Sequence, residues 1–183
     1  MISRICISFT LFSVLSISHA SEVTRLGYCH YALSVKTTAS SQSIWRLWED
    51  VKDWKDYDTI LEYSYLENNA PFEVGATGFV KARGAPKTKF ELIEVNSGTS
   101  FVESLKLPLF SSLLLKRRVK SINLGVTVFT HEVVFKGPAK HLMCLIMGGT
   151  FKNELPRVMF NLRDLAELRE KERREKELEN TSH

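Results

Sequence analysis

The fold of this chain is decided by Ile44-Trp45-Arg46-Leu47-Trp48-Glu49-Asp50-Val51-Lys52-Asp53-Trp54, a stretch that holds all three tryptophans of the sequence. Its apolar residues recur at three- and four-residue steps, which predicts an amphipathic helix. Any of the serines at positions 40, 41 and 43 can cap the start of this helix. The residues from Asp53 to Asp58 predict a second short helix or turn, so two short helices follow one another here.

Strands are predicted on both sides of these helices, because apolar and polar residues alternate there. Before the helices, residues 28–37 alternate in the manner of a half-buried strand. After them, turn-like sequences separate five or six further segments, at about residues 60–67, 77–83, 87–95, 100–107, 113–122 and 126–136. Regular spacing with short turns indicates an antiparallel meander.

A long helix is predicted after the last strand, which ends at Gly137-Pro138. Apolar residues then recur at three- and four-residue steps from position 143 to position 165, as expected of a helix with one buried face. Gly148-Gly149 and Pro156 interrupt this stripe, and we expect them to loosen or kink the helix.

The end of the chain is almost wholly charged from Arg163 onward. Glu167 and Lys171 have the spacing that supports an exposed helix. Residues 168–183 are therefore predicted to form a charged tail, helical or disordered. A solvated helix end is the simpler interpretation, and a helix that binds a partner is the alternative.

The first twenty residues form a unit of their own. Arg4 and the amino terminus supply positive charge, residues 5–17 are an apolar run, and Ser18-His19-Ala20 has small residues where a signal peptidase reads them. The run is too short to span a bilayer, which needs about 20 apolar residues, so a membrane anchor is the weaker alternative. Residues 1–20 are therefore predicted to be a signal peptide, and the mature protein to be periplasmic or secreted.

Charge and cysteine usage limit the partners of the mature chain. The formal net charge is only +4, and basic residues are scattered among acidic ones, so no nucleic-acid partner is predicted. After loss of the signal peptide, Cys29 and Cys144 remain, without the spacing of a metal site. In an oxidising compartment they are a candidate disulfide, and two buried thiols are the alternative. No metal and no cofactor are predicted.

Several motifs, in this order, resemble those of the polyketide cyclase/dehydrase and lipid-transport superfamily, whose domains are called START-like or SRPBCC. The stretch Ile44 to Trp54 is similar to the superfamily's signature vW…l.Dv..W. Residues 125–131 and 135–138 look like its last strand, and residues 155–157 and 161–167 look like its closing helix.

The resemblance covers residues 31–167 and implies a helix-grip fold of the α+β class. In this fold a curved antiparallel sheet of six to seven strands surrounds a long C-terminal helix. Residues 21–167 would then form one START-like domain. Members of the superfamily share a cavity for an apolar ligand and have no invariant catalytic residue, so no catalytic residue is assigned. A sheet that curls around a helix without enough large side chains leaves such a void.

The helix-grip order brings the two cysteines together. Its first strand lies antiparallel beside its last strand, and the closing helix starts directly after the last strand. Cys144, in the first turns of that helix, is therefore expected above the start of the first strand, where Cys29 lies. A bridge needs Cα atoms about 4.4–6.8 Å apart, which this arrangement permits.

Three titratable side chains are predicted to form a row on the inner face of the sheet. With one hairpin turn centred near Phe110 and the next near Leu124, Arg117 faces both Glu103 and His131. A buried charge must be paired, and Glu103 and Arg117 would satisfy one another. The row is interpreted as a structural ion pair, as an anchor for the head group of a ligand, or as an acid–base site.

The predicted ligand-binding residues are this row and apolar residues around it: Glu103, Arg117, His131, Phe129, Leu115, Met143, Met147 and Tyr63. For Tyr63, packing in the core is an equal alternative. The leading hypothesis is an exported binding or carrier protein that holds a hydrophobic or lipid-like small molecule and makes transient membrane contact.

Two other functions remain open. One is a cyclase, dehydratase or hydrolase that acts on a similar apolar substrate, although no nucleophile elbow, metal motif or phosphate loop supports an enzyme. The other is an assembly protein that works through the charged tail.

Overall fold

The structure is a computed structural model that describes residues 23–123 and 125–181. The predicted signal peptide, residues 1–20, lies outside the described residues. Within them the chain forms one antiparallel sheet, a pair of short helices and a long C-terminal helix that packs on the sheet.

The strands in chain order are β1 (Thr24–Gly27), β2 (His30–Thr37), β3 (Leu61–Leu66), β4 (Thr77–Ala82), β5 (Thr88–Asn96), β6 (Ser100–Leu107), β7 (Ser111–Asn123) and β8 (Val126–Lys136). The α-helices are α1 (Ser41–Glu49), α2 (Trp54–Tyr57) and α3 (Lys140–Thr181), and short 3₁₀ helices lie at Val51–Asp53 and Glu67–Asn69. Across the sheet the order is β1-β2-β8-β7-β6-β5-β4-β3, and the sheet is not closed. The predicted helix-grip fold of the α+β class is confirmed, with eight described strands where six to seven were expected.

The additional strand is β1, which pairs with β2 through a hairpin. All four of its residues are exposed, so it has no alternation of apolar and polar residues for a sequence pattern to detect. Tyr28 and Cys29 form the turn of this hairpin, and Cys29 has a φ of 62°. The first predicted strand therefore begins two residues later than expected, at His30.

The β6–β7 hairpin has a different turn from the predicted one. Leu107 pairs with Ser111, so the turn is centred on Leu109 and not on Phe110. Both turn residues have left-handed backbones, with φ of 56° at Leu109 and 55° at Phe110. Glycine or asparagine usually marks such positions in a sequence, and neither is present here.

Because of this turn, each inner-face residue of β7 pairs with a β6 residue two positions earlier than predicted. Glu103 faces Leu115 and Arg117 faces Phe101, so the prediction that Glu103 directly faces Arg117 is wrong. The predicted β7–β8 register is correct, because Arg117 faces His131. A shift of two residues keeps every side chain on its own face of the sheet.

The three tryptophans of the fold-deciding stretch all enter the core, at 1–4% exposure. The Trp54 indole N–H donates to the carbonyl of Trp48 at 2.9 Å, which holds α2 against the end of α1. Phe101 of β6 packs edge-on against Trp45 and Trp48, with ring centroids 6.2 and 5.6 Å apart. Ser40 caps α1 by accepting from the backbone N–H of Ser43 at 3.2 Å. The short helices are thus fixed over the inner face of the sheet.

Helix α3 runs unbroken for 42 residues, with Gly148-Gly149 and Pro156 inside it. Its buried residues recur at helical spacing: Met143, Cys144, Gly148, Leu155, Val158, Met159, Leu162, Ala166 and Glu170. No helix in the described part of the chain is long and apolar enough to cross a membrane.

The charged end of α3 is anchored to the domain through Glu170, whose side chain is 6% exposed. Its carboxylate accepts from the backbone N–H of Ser40 at 2.6 Å and from the hydroxyl of Ser43 at 2.8 Å. Arg174 pairs with its other oxygen. The first turn of α1 is therefore capped by a carboxylate from the end of α3.

Glu167 takes part in the same anchor and not in the predicted pair with Lys171. Its carboxylate accepts from the hydroxyl of Thr37 at 2.7 Å and from the backbone N–H of Thr38 at 2.9 Å. Lys171 lies 3.8 Å from the carboxylate of Glu175 instead. The helix remains in contact with the domain past the boundary predicted at residue 167.

We expect Glu170→Gln to lower the free energy of unfolding by about 2 kcal/mol at neutral pH, because the acceptor loses its charge. Although burial raises the pKa of Glu170, hydrogen bonds from Ser40, Ser43 and Arg174 lower it to about 2, from an ordinary value of 4.5. A depressed carboxyl pKa stabilises the fold above the unfolded pKa, and this contribution is lost as the pH falls through the folded value.

Urea unfolding across acidic and neutral pH measures this difference. The exposed Glu175→Gln is the matched control and should match the unmodified protein. A destabilisation by Glu170→Gln that stays constant down to about pH 3 would contradict the anchor.

Cys29 and Cys144 form a disulfide in the structure, with Cα atoms 5.5 Å apart. Cys29 lies in the β1–β2 turn, where its carbonyl accepts from the backbone N–H of Phe135 in β8 at 3.1 Å. Cys144 lies in the second turn of α3. The bridge thus joins the start of α3 to the sheet across 115 positions of sequence.

Protein isolated without reductant from an oxidising compartment should be lighter than the reduced protein by two hydrogens. Replacing both Cys29 and Cys144 by alanine should lower the free energy of unfolding by about 4 kcal/mol, because the bridge closes a long loop. Most of that difference should disappear when the unmodified protein is reduced first. Two free thiols in the isolated protein, detected by alkylation and mass measurement, would rule the bridge out.

Candidate functional site

The inner face of the sheet carries a charged pair in its most protected region. Glu103 of β6 and Arg117 of β7 lie on this face at diagonal positions, and the Arg117 Nη2 is 3.1 Å from the Glu103 Oε1. Their side chains are only 2% and 6% exposed. His131 of β8 is the direct cross-strand neighbour of Arg117 and is 7% exposed. The structure therefore brings together all three residues of the predicted row.

The guanidinium of Arg117 is held by aromatic rings as well as by its carboxylate partner. Its Cζ lies 4.9 Å from the ring centre of Trp54 and 5.0 Å from that of Phe101. These two rings are themselves stacked, at 6.4 Å and 23°. A guanidinium is suited to this position because it can stack on rings and pair with a carboxylate at the same time.

Tyr57 adds a fourth polar side chain, close enough for the charges of Arg117 and Glu103 to act on its hydroxyl. It lies at the end of α2, three residues after Trp54, and is 3% exposed. Its carbonyl accepts from the side-chain amide of Asn161 at 3.1 Å, which connects α2 to α3. The three-residue step from Trp54 is the sequence signal that could have identified it, since such a step keeps both side chains on one helix face. We call Tyr57, Glu103, Arg117 and His131 the polar cluster.

Each member of the polar cluster has one buried polar atom without a hydrogen-bond partner among the described residues. These atoms are the Tyr57 hydroxyl oxygen, the Glu103 Oε2, the Arg117 Nη1 and the His131 Nε2. Buried polar groups in native proteins are nearly always paired, and an unpaired one costs about 1–3 kcal/mol. Trp45 Nε1 and Thr59 Oγ1 are also buried without a partner, so four of the six such atoms among the described residues belong to the polar cluster, where a ligand or water can complete the hydrogen bonds.

Burial controls the protonation of the polar cluster. Desolvation raises the pKa of Glu103, although the positive charge of Arg117 opposes this shift. Desolvation and, to a smaller extent, Arg117 lower the pKa of His131 well below its ordinary value, so its imidazole is neutral at neutral pH. Burial raises the pKa of the Tyr57 hydroxyl, which therefore keeps its proton.

The free atoms of the polar cluster offer both donors and acceptors. Arg117 and Tyr57 can donate, Glu103 can accept, and neutral His131 can do either, according to its tautomer. Such a set matches a small polar group that both accepts and donates, such as a carboxylic acid or a carbonyl beside a hydroxyl. The neutral imidazole of His131 can also take up or release a proton, which makes it a candidate general acid or base.

The other predicted ligand-binding residues divide into two groups. Leu115 and Phe129 lie on the inner face beside the polar cluster and are buried, at 8% and 0% exposure. Met143 is buried on the inner side of α3, and Met147 is half-buried there. Tyr63 is elsewhere.

The prediction that Tyr63 lines the site is wrong. Its side chain is 40% exposed and stacks on Tyr65, at 6.2 Å between ring centres, on the outer face of β3. The buried residue of this strand is the neighbouring Ser64, whose hydroxyl donates to the carbonyl of Val51 at 2.6 Å. Val51 lies in the short 3₁₀ helix between α1 and α2, so the inner face of β3 contacts this connection through Ser64.

Two surface grooves lie apart from the polar cluster. One, of about 370 Å³, lies between α1 and the β5–β6 turn. The other, of about 330 Å³, lies along the end of α3 beside Thr38 and Ala39. No member of the polar cluster lines either groove. Among the described residues, no group of histidine, cysteine, aspartate and glutamate side chains could hold a metal ion.

No model of a known protein family matches this chain, and no curated protein matches it. Solved structures do resemble it. The hypothetical protein jhp0584 from Helicobacter pylori superposes with a TM-score of 0.62 at 8% identity, over 91% of this chain and 99% of that one. DynU16, a protein of the dynemicin biosynthetic locus, superposes with a TM-score of 0.57 at 14% identity, over 76% of this chain and 47% of that one.

A START superfamily protein from Mycobacterium smegmatis also superposes, with a TM-score of 0.57 at 10% identity. The match covers 74% of this chain and 97% of that one. At such identities the likeness concerns the fold alone. The chain therefore has a START-like fold, in which an antiparallel sheet packs against a long C-terminal helix.

Proposed function

We propose that this protein binds an apolar small molecule whose polar head group is recognised by the polar cluster. The observation that carries the proposal is the set of four buried, unpartnered polar atoms on Tyr57, Glu103, Arg117 and His131. A ligand that filled these hydrogen bonds would remove a cost that the protein otherwise bears. Ligand sites of this kind are mostly apolar, with a few polar groups that fix orientation.

The surroundings of the polar cluster suit an apolar ligand body. Leu115, Phe129 and Met143 are buried beside it or on the facing side of α3. Met side chains adapt their shape to different ligands because they are unbranched and polarisable. The polar cluster is closed from solvent, so we infer that a ligand reaches it when a covering element moves.

We further propose that the mature protein is exported to the periplasm or outside the cell and acts there as a carrier. The signal-peptide pattern of residues 1–20 supports this localisation. So does the pairing of Cys29 with Cys144, since structural disulfides persist in oxidising compartments.

A pair of variants separates ligand recognition from structural support. Arg117→Met leaves Glu103 buried without its partner and should lower the free energy of unfolding by about 3–5 kcal/mol. Combining it with Glu103→Leu should recover much of this loss, because neither charge then remains in the core. Both variants should lose affinity for the ligand, since both lack the head-group anchor.

Chemical unfolding and binding titrations measure the two effects. Tyr63→Leu, on the outer face of the sheet, is the control and should keep full affinity. If the double variant is stable and binds as tightly as the unmodified protein, the Glu103–Arg117 pair is structural only.

The ligand itself can be identified by native mass spectrometry of the protein purified from its own compartment, followed by organic extraction. A discrete apolar molecule should accompany the protein and be absent from the double variant. An apolar fluorescent probe should bind at micromolar concentration and compete with that molecule. Met143→Trp should lower the affinity for the probe, because the larger indole takes up room on the inner side of α3. Unchanged probe binding in Met143→Trp would put the site elsewhere.

An enzyme is the second candidate, because His131 is neutral and has an unpartnered Nε2 in the polar cluster. A cyclase, dehydratase or hydrolase would be found without a retained ligand and would turn over a test substrate such as an apolar ester. His131→Phe should abolish this turnover, whereas in a carrier it should only weaken binding.

A further inference from the structure

Large apolar side chains are exposed together at one end of the molecule, on the β1–β2 turn, the β6–β7 turn and the first turns of α3. We call them the apolar tip: Tyr28, Leu109, Phe110, Leu142, Leu145 and Ile146. Phe110 is 97% exposed and Leu145 is 78% exposed, so both contact almost nothing of their own protein. Clustered exposure of this kind marks a surface that meets a partner.

The three segments are in contact with one another. Ser111, which follows Phe110, accepts through its hydroxyl from the backbone N–H of Ala139 at 3.0 Å, directly before α3. The ring of Tyr28 lies 4.9 Å from the ring of His141 in the first turn of α3. The apolar tip is therefore one surface and not a set of scattered side chains.

The start of α3 is apolar on two opposite sides. Met143 and Cys144 are buried toward the sheet. Leu142, Leu145 and Ile146 are exposed on the other side, at 46%, 78% and 64%. A helix that only covers a core typically has a polar outer face, so this outer apolar stripe is suited to an apolar contact beyond the protein itself.

The apolar tip is bordered by positive charge. Residues 104–153 include a single acidic residue, Glu132. Lys106 of β6 and Lys136 of β8 are both exposed on strands that end at the tip, and each pairs with Ser112 of β7 between them. Lys140, also exposed, begins α3. A basic border around an apolar centre is complementary to an anionic lipid surface.

We propose that the apolar tip docks this protein onto an anionic lipid bilayer, with the apolar side chains in the interfacial layer and Lys106, Lys136 and Lys140 against the head groups. A second copy of the chain fits less well, because two copies that meet at this surface would bring like charges together. The docking surface goes beyond the proposed ligand site and does not depend on it, since none of its side chains belongs to the polar cluster.

Sedimentation with lipid vesicles tests the proposal. The mature protein should bind phosphatidylcholine vesicles that contain phosphatidylglycerol, and should bind pure phosphatidylcholine at least tenfold more weakly. Added salt should weaken the binding, because it screens the lysines. The variant with Phe110→Ser and Ile146→Ser should lose at least tenfold in affinity. The variant with Lys136→Gln and Lys140→Gln should lose the preference for the anionic vesicles.

The matched control carries Ile93→Ser and Leu178→Ser, two exposed apolar residues outside the apolar tip, and should bind like the unmodified protein. Thermal unfolding shows that each variant is folded, which is expected because all the changed side chains are exposed. Equal binding by the tip variant and the control, or no binding to anionic vesicles, overturns the proposal. So does a dimer that Phe110→Ser converts to a monomer without a change in vesicle binding, which would assign the surface to a second copy.

Discussion

The burial of Arg117 is the constraint on which the rest of the structure depends. A guanidinium without water must be paired and packed, or its desolvation costs several kcal/mol. Glu103 supplies the charge, and the rings of Trp54 and Phe101 supply the packing. Trp54 belongs to α2 and Phe101 to β6, so the short helices have to cross the inner face where β6 and β7 meet. The stretch that decides the fold and the residues that form the site are therefore fixed by the same contacts.

The fold could be predicted from the sequence because most strands have one buried and one exposed face. The exception, β1, has no buried face and was missed. The β6–β7 register was missed because left-handed Leu109 and Phe110 carry no sequence signal for a turn. Even so, Glu103 and Arg117 were predicted as partners, since a two-residue shift preserves the face and a long arginine side chain reaches a diagonal neighbour.

The site was predictable only where a charged residue interrupts an apolar face. Glu103, Arg117 and His131 do so, and the structure brings them together. Tyr57 is aromatic like Trp54 on the same helix face, so it does not stand out there as a polar residue. Its role follows from its burial beside the charges of Glu103 and Arg117, which come from distant strands. Tyr63 was misplaced because both faces of β3 are mixed. Ser64 is the buried residue of β3, and its hydroxyl donates to the carbonyl of Val51 in the connection between α1 and α2, a contact that the strand pattern does not reveal.

Helix α3 is anchored near both ends and has its weakest turns between the two anchors. Its start is bound to the sheet through Cys144, and its end is bound to the β2–α1 loop and α1 through Glu170. Between these anchors lie Gly148-Gly149 and Pro156, where propensity is lowest and where proline removes a backbone donor. Movement is therefore least costly in the turns between the anchors. A helix fixed at both ends can tolerate weak turns in its middle, because the two anchors hold it on the domain.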